Sequence, residues 1–220
     1  LKYTYADRTI NSKTIKVLTD VTPISVTVTL GAKTYTSDKG VVTVGKDAFG
    51  NYYYSVVKNT YVTVSYVIDE VTYSYLANGQ PKTLTSETTT QADEGWMLDG
   101  STYITKSKIE YTYQTIAGNS NSVGKLIDAE DKEVTYTDIT GDTKAKYTGS
   151  VTVGNDIFGN KYETQVFTND YNLTYGQPKP DEVTTTTINK GIDGSESKTA
   201  SKLKYTYADR TINSKTIKVL

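Results

Sequence analysis

One stretch of this chain occurs twice without a single change. Residues 1–18 read LKYTYADRTINSKTIKVL and residues 203–220 read the same 18 letters, so the second copy begins 202 residues after the first. A match of this length does not arise by chance, and long identical repeats are typical of tandem arrays whose repeats pack mainly against their neighbours. The sequence therefore predicts one full 202-residue period followed by the start of the next.

A weaker repeat divides this period into two parts. The sequence VVTVGKDAFGN at 41–51 corresponds to SVTVGNDIFGN at 150–160, and LDGS at 98–101 corresponds to IDGS at 192–195. Matching segments follow in the same order in both parts. This predicts two diverged units of about 100 residues, the size of an immunoglobulin-like sandwich. The predicted divisions are residues 1–18 as the tail of a preceding unit B, residues 19–126 as unit A and residues 127–220 as unit B.

Alternating polar and apolar residues predict short strands along the chain. In SVTVTL at 25–30 the pattern places Val26 and Val28 on one face and Thr27 and Thr29 on the other. Gly-Asn, Gly-Asp and Asn-Gly pairs separate such segments and are typical of tight turns. No segment has the 3.6-residue periodicity of an amphipathic helix. The predicted fold is all-β, with tandem antiparallel immunoglobulin-like β-sandwiches and, as the alternative, an open β-spiral or β-solenoid.

The amino-acid composition argues against most catalytic and metal-binding chemistry. The chain has no His and no Cys, so it has neither an imidazole base nor a thiolate, and it lacks the usual ligands of zinc and iron–sulfur sites. Its 24 basic and 25 acidic residues give a net charge of −1, which does not favour binding to nucleic acid. The apolar runs are too short for membrane insertion. We expect neither an enzyme nor a protein with a resident cofactor.

The motif Asp-x-Phe-Gly-Asn occurs at 47–51 and at 156–160, at equivalent places in the two units. The first interpretation is a tight turn in which Asp caps backbone N–H groups, Phe fills the core and Gly takes a positive φ. The second interpretation is a Ca²⁺ site, because carboxylate and amide oxygens are the ligands that this cation prefers. The candidate Ca²⁺ ligands are Asp47, Asn51, Asp156 and Asn160.

Acidic residues also gather at two other places. Asp93 and Glu94 are adjacent in a predicted loop, so their carboxylates point apart and do not predict acid–base catalysis. At the start of unit B, a run of acidic residues predicts a solvated, charged linker, with Ca²⁺ binding as the alternative. The acidic residues of this run are Asp128, Glu130, Asp131 and Glu133.

Aromatic residues are the candidates for contact with a ligand or a neighbouring chain. The run Tyr52-Tyr53-Tyr54 places rings on both faces of a strand, so at least one ring is expected to be exposed or at an interface. Trp96 is the single Trp. We expect it in the core of a sandwich, with a ligand-binding surface as the alternative.

Two families resemble parts of this sequence. The Asp-x-Phe-Gly-Asn turn after a Val/Thr strand resembles the same turn in bacterial immunoglobulin-like adhesin domains, over roughly ten residues of each unit. This resemblance implies the stalk of a giant bacterial surface adhesin, or an extracellular filament, attached to the cell surface. The segment Tyr73–Gln80, together with these turns, resembles YD (Rhs-type) repeats, which form a spiralling β-shell, although their regular short spacing is not kept here.

The repeat and the resemblance together predict a structural protein that provides reach and attachment. The expected partners are neighbouring repeats of the same chain and identical chains in a filament. The alternative is an adhesion module whose units each bind a cell-surface protein or a glycan. Residues 1–18 are further expected to complete the sheet of a neighbouring unit with the pairing that residues 203–220 use in unit B. This predicts the same strand partners for residues 3–5 and 205–207.

Overall fold

The chain folds as antiparallel β-structure throughout the part that the computed structural model describes. The described residues are 1–10, 12–22, 24–62, 64–68, 71–75, 82–114, 124–173, 178–212 and 215–219. Within them every regular element is a strand and every strand pair is antiparallel, which confirms the predicted all-β fold. These same residues contain no helix that is long and apolar enough to cross a membrane.

Nineteen strands follow one another along the described residues. They are β1 (Lys2–Ile10), β2 (Lys13–Thr22), β3 (Val26–Leu30), β4 (Lys33–Ser37), β5 (Val41–Lys46), β6 (Tyr52–Val62), β7 (Val64–Ile68), β8 (Val71–Tyr75), β9 (Lys82–Ala92), β10 (Thr102–Tyr113), β11 (Leu126–Asp131), β12 (Glu133–Tyr136), β13 (Ala145–Thr148), β14 (Ser150–Asn155), β15 (Lys161–Asn172), β16 (Lys179–Lys190), β17 (Glu196–Lys204), β18 (Ala208–Ile212) and β19 (Lys215–Val219).

One sheet of nine strands is the largest sheet in the described part of the chain. Eight of its strands lie side by side in the order β5, β6, β9, β10, β14, β15, β16 and β17, and β11 lies beside the second half of β10. Four of the eight come from predicted unit A and four from unit B. The two sets join where Thr102–Ser107 of β10 pairs with Ser150–Asn155 of β14. The sheet therefore runs across the predicted boundary at 126/127, and the division into separate sandwich units stays a prediction.

Two hairpins pack on one face of this sheet, which we call the inner face. The β3–β4 hairpin packs in unit A and the β12–β13 hairpin packs in unit B, and each forms a small apolar core with the strands beneath it. Val151 is 1% exposed, and burying a side chain of this size contributes about 1.5–3 kcal/mol. The unit A core contains Val28, Tyr35, Val42, Val44, Tyr54, Val56 and Trp96, and the unit B core contains Val134, Tyr136, Ala145, Tyr147, Val151 and Val153.

The two identical segments form the same hairpin. In the first copy Ala6 pairs with Val17, and in the second copy the equivalent residues, Ala208 and Val219, pair in the same way. The register stays the same to the end of each hairpin. A hairpin that forms twice in different surroundings is determined mainly by its own sequence.

The partners of the two copies differ at their first residues. Tyr3 pairs with Val21 of β2, whereas Tyr205 donates its backbone N–H to the carbonyl of Asp181 at 2.7 Å. These two partners lie on opposite sides of the strand, and the counterpart of each one falls outside the given 220 residues. Identical partners for residues 3–5 and 205–207 therefore stay a prediction. In the described residues the strand partner of β1 is β2.

The segment that resembles YD repeats is described only in part. β7 and β8 form an antiparallel hairpin in which Tyr66 pairs with Tyr73, as the alternation of this segment predicts. The predicted turn at Asn78-Gly79 lies outside the described residues.

Candidate interaction surfaces

The two Asp-x-Phe-Gly-Asn turns are held by the Asp carboxylate. Asp47 Oδ1 accepts the backbone N–H groups of Phe49 and Asn51, each at 2.9 Å, and Asp47 Oδ2 accepts the Asn51 side-chain amide at 2.9 Å. Gly50 has a φ of 100°, a conformation that favours glycine. These hydrogen bonds, first of all the one from the Asn51 side chain, hold the pKa of Asp47 below its ordinary value. The predicted capping and the predicted positive φ are both confirmed.

The turn of unit B repeats this geometry. Asp156 accepts the backbone N–H groups of Phe158 and Asn160 at 2.8 and 2.9 Å, and the Asn160 amide at 2.7 Å. Gly159 has a φ of 87°. The hydrogen bonds, led by the one from Asn160, again lower the pKa of the Asp side chain. Two units that differ in much of their sequence therefore keep an identical turn.

The Phe side chains of these turns lie in solvent. Phe49 is 84% exposed and Phe158 is 72% exposed, so the prediction that they fill the core is wrong. The physical reason is where the core ends. In unit A its last layer is Tyr54 with Trp96, and the turn protrudes beyond that layer.

Each of these turns is tied to a second turn that also carries an apolar residue. Asn51 Oδ1 accepts the N–H of Leu98 at 3.0 Å, and Asn160 Oδ1 accepts the N–H of Ile192 at 2.9 Å. All four turns lie at one end of the sheet, because they connect successive strand pairs of the meander. Each pair of turns thus brings exposed apolar side chains together within its own unit, and such side chains are typical of contact surfaces. We call this surface the apolar rim, and it consists of Phe49, Leu98, Ile157, Phe158 and Ile192.

The candidate Ca²⁺ ligands lie in two different turns. Both carboxylate oxygens of Asp47 accept N–H donors, and the side-chain oxygen of Asn51 accepts another from Leu98. Among the described residues there is no group of three or more acidic side chains that could hold a metal ion. A Ca²⁺ ion needs six to eight oxygens, so the geometry does not favour these sites, and Ca²⁺ binding stays a prediction.

Three side chains of the acidic run at the start of unit B, those of Glu130, Asp131 and Glu133, have hydrogen-bond or ion-pair partners elsewhere in the unit. Asp131 is buried and accepts the Tyr171 hydroxyl and the Thr168 N–H, each at 2.7 Å. Burial, together with the Asp131 charge, raises the pKa of Tyr171. Glu130 pairs with Lys132 at 2.6 Å. Asp128, Glu130 and Glu133 are exposed, as a solvated run predicts, whereas Asp131 is buried. The run lies on strands β11 and β12, so the prediction of a linker is not met.

The tyrosine run divides between the two faces of the sheet. Tyr54 is buried on the inner face, where its ring stacks on Tyr35 with 3.8 Å between ring centroids and meets the edge of Trp96 at 5.1 Å. The Tyr54 hydroxyl donates to Asp93 at 3.1 Å. Burial and the Asp93 charge raise the pKa of Tyr54. Tyr54 and Trp96 thus belong to the unit A core, as the first interpretation of Trp96 expects.

The other two tyrosines lie nearer to solvent. Tyr52 is half-buried, and the ammonium of Lys46 lies 5.1 Å from the centre of its ring. Tyr53 lies on the opposite, outer face, where its ring covers Gly45 of the neighbouring strand so closely that a Cβ at Gly45 would collide with it. Tyr162 covers Gly154 in the same way in unit B. The outer-face rings therefore lie flat against the sheet.

A line of hydroxyl side chains crosses the outer face from one edge of the sheet to the other. Its members are in register on successive strands, at the 4.7–4.9 Å spacing of neighbouring strands. Three neighbouring pairs are hydrogen-bonded, at 3.0, 2.8 and 3.2 Å. We call this line the hydroxyl row, and in order it consists of Thr43, Ser55, Thr90, Thr105, Thr152, Thr164, Thr187 and Thr199.

The sheet ends in two open edges. In the described part of the chain β5 has a strand partner only in β6, and β17 only in β16. All nine residues of β17 are exposed. An edge of this kind presents unpaired N–H and C=O groups that can pair with another strand.

Comparison with known proteins gives no relative: no family model, no curated protein and no solved structure matches this chain.

Proposed function

We propose that this chain is a structural repeat of a long extracellular fibre or adhesin stalk that is attached to a bacterial cell surface. The observation that carries the proposal is the β10–β14 pairing, which joins the two predicted units into a single sheet. Strands follow one another in this sheet in the order of the sequence, so every added unit lengthens it. A repeat that lengthens one sheet provides reach and passes force through backbone hydrogen bonds.

The packing of the aromatic residues supports the spacer function. Tyr54 and Trp96, two of the predicted contact residues, are used in the unit A core. Side chains committed to internal packing are not available as a stacking platform for a sugar ring. The nearly neutral net charge of −1 also favours association between copies of the chain.

A second candidate function is an adhesion module that binds a protein or a glycan. The apolar rim favours it, because Phe49 and Ile192 are 84% and 78% exposed and large exposed apolar side chains mark contact sites. A third arrangement, the β-shell of YD-type repeats, is compatible with the continuous sheet as well, since such a shell is also a single meandering sheet.

The proposal is tested with proteins that contain one, two and three 202-residue periods. Each period adds eight strands to the sheet path, so at about 4.8 Å per strand we expect the length to grow by about 38 Å per period in small-angle scattering and electron microscopy. A maximum dimension that does not increase with the number of periods contradicts a fibre. A strongly curved wall around an interior would instead support the β-shell.

Location is tested separately on the source cells. Antibodies raised against the 220-residue chain should label intact cells, and external protease should remove the label. Labelling only after the cells are permeabilised would contradict the proposed extracellular location.

A further inference from the structure

We infer that the two open edges of the sheet are complementary, so that β17 of one copy of this chain pairs antiparallel with β5 of a second copy. The inference rests on the proposed function, because it names the partner through which the structural repeat associates. Its argument comes from a pairing that the chain already contains.

The template is the β10–β14 pair in the middle of the sheet. β17 is the counterpart of β10, because each follows the matching turn, IDGS or LDGS, and each reaches the matching Lys at position 202 or 108. β5 is the counterpart of β14, because they carry the matching sequences VVTVGK and SVTVGN. The strands at the two open edges are therefore diverged copies of two strands that already pair.

The template also fixes the register of the new pair. β10 and β14 pair Thr102 with Asn155 and Thr105 with Thr152. Transfer to the equivalent positions places residue 196 of one copy opposite residue 46 of the next, and residue 199 opposite residue 43. The predicted contacts run from Glu196 opposite Lys46, through Thr199 opposite Thr43, to Ser201 opposite Val41.

The side chains suit this register. Glu196 and Lys46 carry opposite charges, and directly opposed charges stabilise a strand pair. At the template position the Asn155 amide reaches the Thr102 hydroxyl at 3.5 Å, so side chains at this place come into contact. On the outer face, Thr199 beside Thr43 would repeat the Thr105–Thr152 hydrogen bond of 2.8 Å. The hydroxyl row would then continue without a break from one copy to the next.

Exposure marks both edges as the incomplete versions of the template. β10 is half-buried at all but one position, whereas every residue of β17 is exposed. Val151 of β14 is 1% exposed, whereas its counterpart Val42 is only half-buried. Pairing of β17 with β5 would cover these edge residues as their counterparts are covered inside the sheet.

The hairpin β1–β2 determines where the proposed pairing between β17 and β5 ends. β10 continues past β14 and pairs with β11, where Tyr111 lies opposite Ala129 and a register shift follows Thr112. β1 makes the equivalent pairing with β2, with the same register shift after Thr4. In a second copy β1 therefore already fills the place that residues 203–207 would take. The contact is confined to residues 196–201 and 41–46.

Because the two edges differ, each added copy leaves one β5 edge and one β17 edge free. Such head-to-tail contacts do not close after two copies and generate open filaments. The same argument separates this pairing from a two-fold contact, in which β5 would meet β5 or β17 would meet β17.

The experiment uses single cysteine substitutions in the full chain, because the described residues contain no cysteine and the sequence has none elsewhere. Thr43→Cys and Thr199→Cys variants, carrying tags of different mass, are mixed and oxidised. The control replaces Thr199→Cys by Ser197→Cys, which lies on the same exposed face but two residues away, about 6.8 Å along the strand. Disulfides need Cα atoms within about 7 Å, so the control reports chance encounters.

We expect the Thr43→Cys and Thr199→Cys mixture to form the mixed disulfide at least about tenfold faster than the control mixture. In a second measurement, Glu196→Lys should slow this cross-linking, and Lys46→Glu in the partner should restore it. Equal rates in both mixtures, or disulfides mainly between two identical variants, would overturn the inference. If multi-repeat proteins still lengthen by a constant step in that case, the proposed structural function stands and only the pairing between separate chains fails.

Discussion

At the scale of single residues, the most informative contrast is between two aromatic rings five positions apart. Phe49 belongs to the most prominent motif of the sequence and is 84% exposed, whereas Tyr54 follows it in an unremarkable strand and is 6% exposed. The motif specifies a backbone turn through Asp47 and Gly50, and that turn forms whatever its aromatic ring contacts. A repeated motif therefore identifies the turn without telling which of its side chains is buried.

This contrast predicts opposite effects of two substitutions on the free energy of unfolding. Phe49→Ser should change it by less than about 0.5 kcal/mol, as is usual for exposed positions. Tyr54→Ala should lower it by about 3 kcal/mol, because it removes a buried ring that stacks on Tyr35 and leaves a cavity. Urea unfolding monitored by circular dichroism measures both. Similar losses in the two variants would contradict the burial described for these side chains.

A buried tyrosine hydroxyl makes the stability of unit B depend on pH in the alkaline range. Glu163 is 3% exposed and accepts the hydroxyl of Tyr136 at 2.7 Å. Burial first, and then this hydrogen bond, raise the pKa of Tyr136 from 10 to about 12. The neutral hydroxyl is thus favoured in the folded state, so its contribution to stability is fully present below pH 10 and is lost as the pH rises through about 12.

The expected result is a fall in the free energy of unfolding between pH 10 and about 12 that is smaller in Tyr136→Phe than in the unaltered chain. At neutral pH the same variant should be less stable by about 1–3 kcal/mol, because the buried Glu163 carboxylate loses a hydrogen-bond donor. Urea unfolding at pH 8 and at high pH measures both effects. The same pH dependence in both proteins would argue against this role of Tyr136.

At the scale of strands and turns, sequence alternation identifies where strands lie but not how each continues. The segment KYTGSVTV at 146–153 reads as one strand, yet the structure divides it into β13 and β14 at Gly149, where φ is 122°. Gly40 makes the equivalent break before β5 with a φ of 139°. At each break the chain leaves the covering hairpin and enters the sheet. The glycine matters there because of close packing, which only the folded structure shows.

Gly149→Ala is therefore expected to destabilise the chain more than another substitution at a positive φ. A Cβ at Gly149 would collide with the carbonyl oxygen of Val166. In addition, alanine would be strained at the positive φ of this position. The matched control is Gly141→Ala, where φ is 95° and no atom lies within 4 Å of the added Cβ. We expect a loss of about 1 kcal/mol in the control and a loss larger by at least about 1 kcal/mol in Gly149→Ala. Equal losses would show that backbone strain alone determines the effect.

The sequence did not allow us to predict which strands pair with each other in the sheet. The internal repeat correctly locates equivalent strands such as β5 and β14, and alternation correctly places Val28 on the packed face. Neither pattern shows that β10 pairs with β14, because alternation determines the face of a side chain and leaves the neighbouring strand open. The same gap explains the missed contact between Asn51 and Leu98, since the two turns match their repeats separately and no pattern links one to the other.

At the scale of the whole molecule, the central question is whether the two predicted units fold as one. Independent sandwiches would unfold separately, whereas the six residue pairs between β10 and β14 make each unit part of the other's sheet. The chain offers a local reporter for this question, because its single Trp, Trp96, packs in the core of unit A. A destabilising substitution in unit B should shift the unfolding transition seen by Trp96 fluorescence only if the two units unfold together.

Val151→Ala is the substitution that tests this coupling. Val151 lies in the unit B core and is 1% exposed, so its truncation should cost about 1–2.5 kcal/mol. With one cooperative transition, the urea midpoint of Trp96 fluorescence should fall by roughly 0.5–1 M, in step with circular dichroism. Val44→Ala in the unit A core is the control, because it should shift Trp96 fluorescence under either arrangement. An unchanged fluorescence midpoint in Val151→Ala, together with a second, earlier transition in circular dichroism, would show that the units unfold separately. A shared sheet would then align the units without coupling their stability, and a pulled fibre would lose its units one at a time.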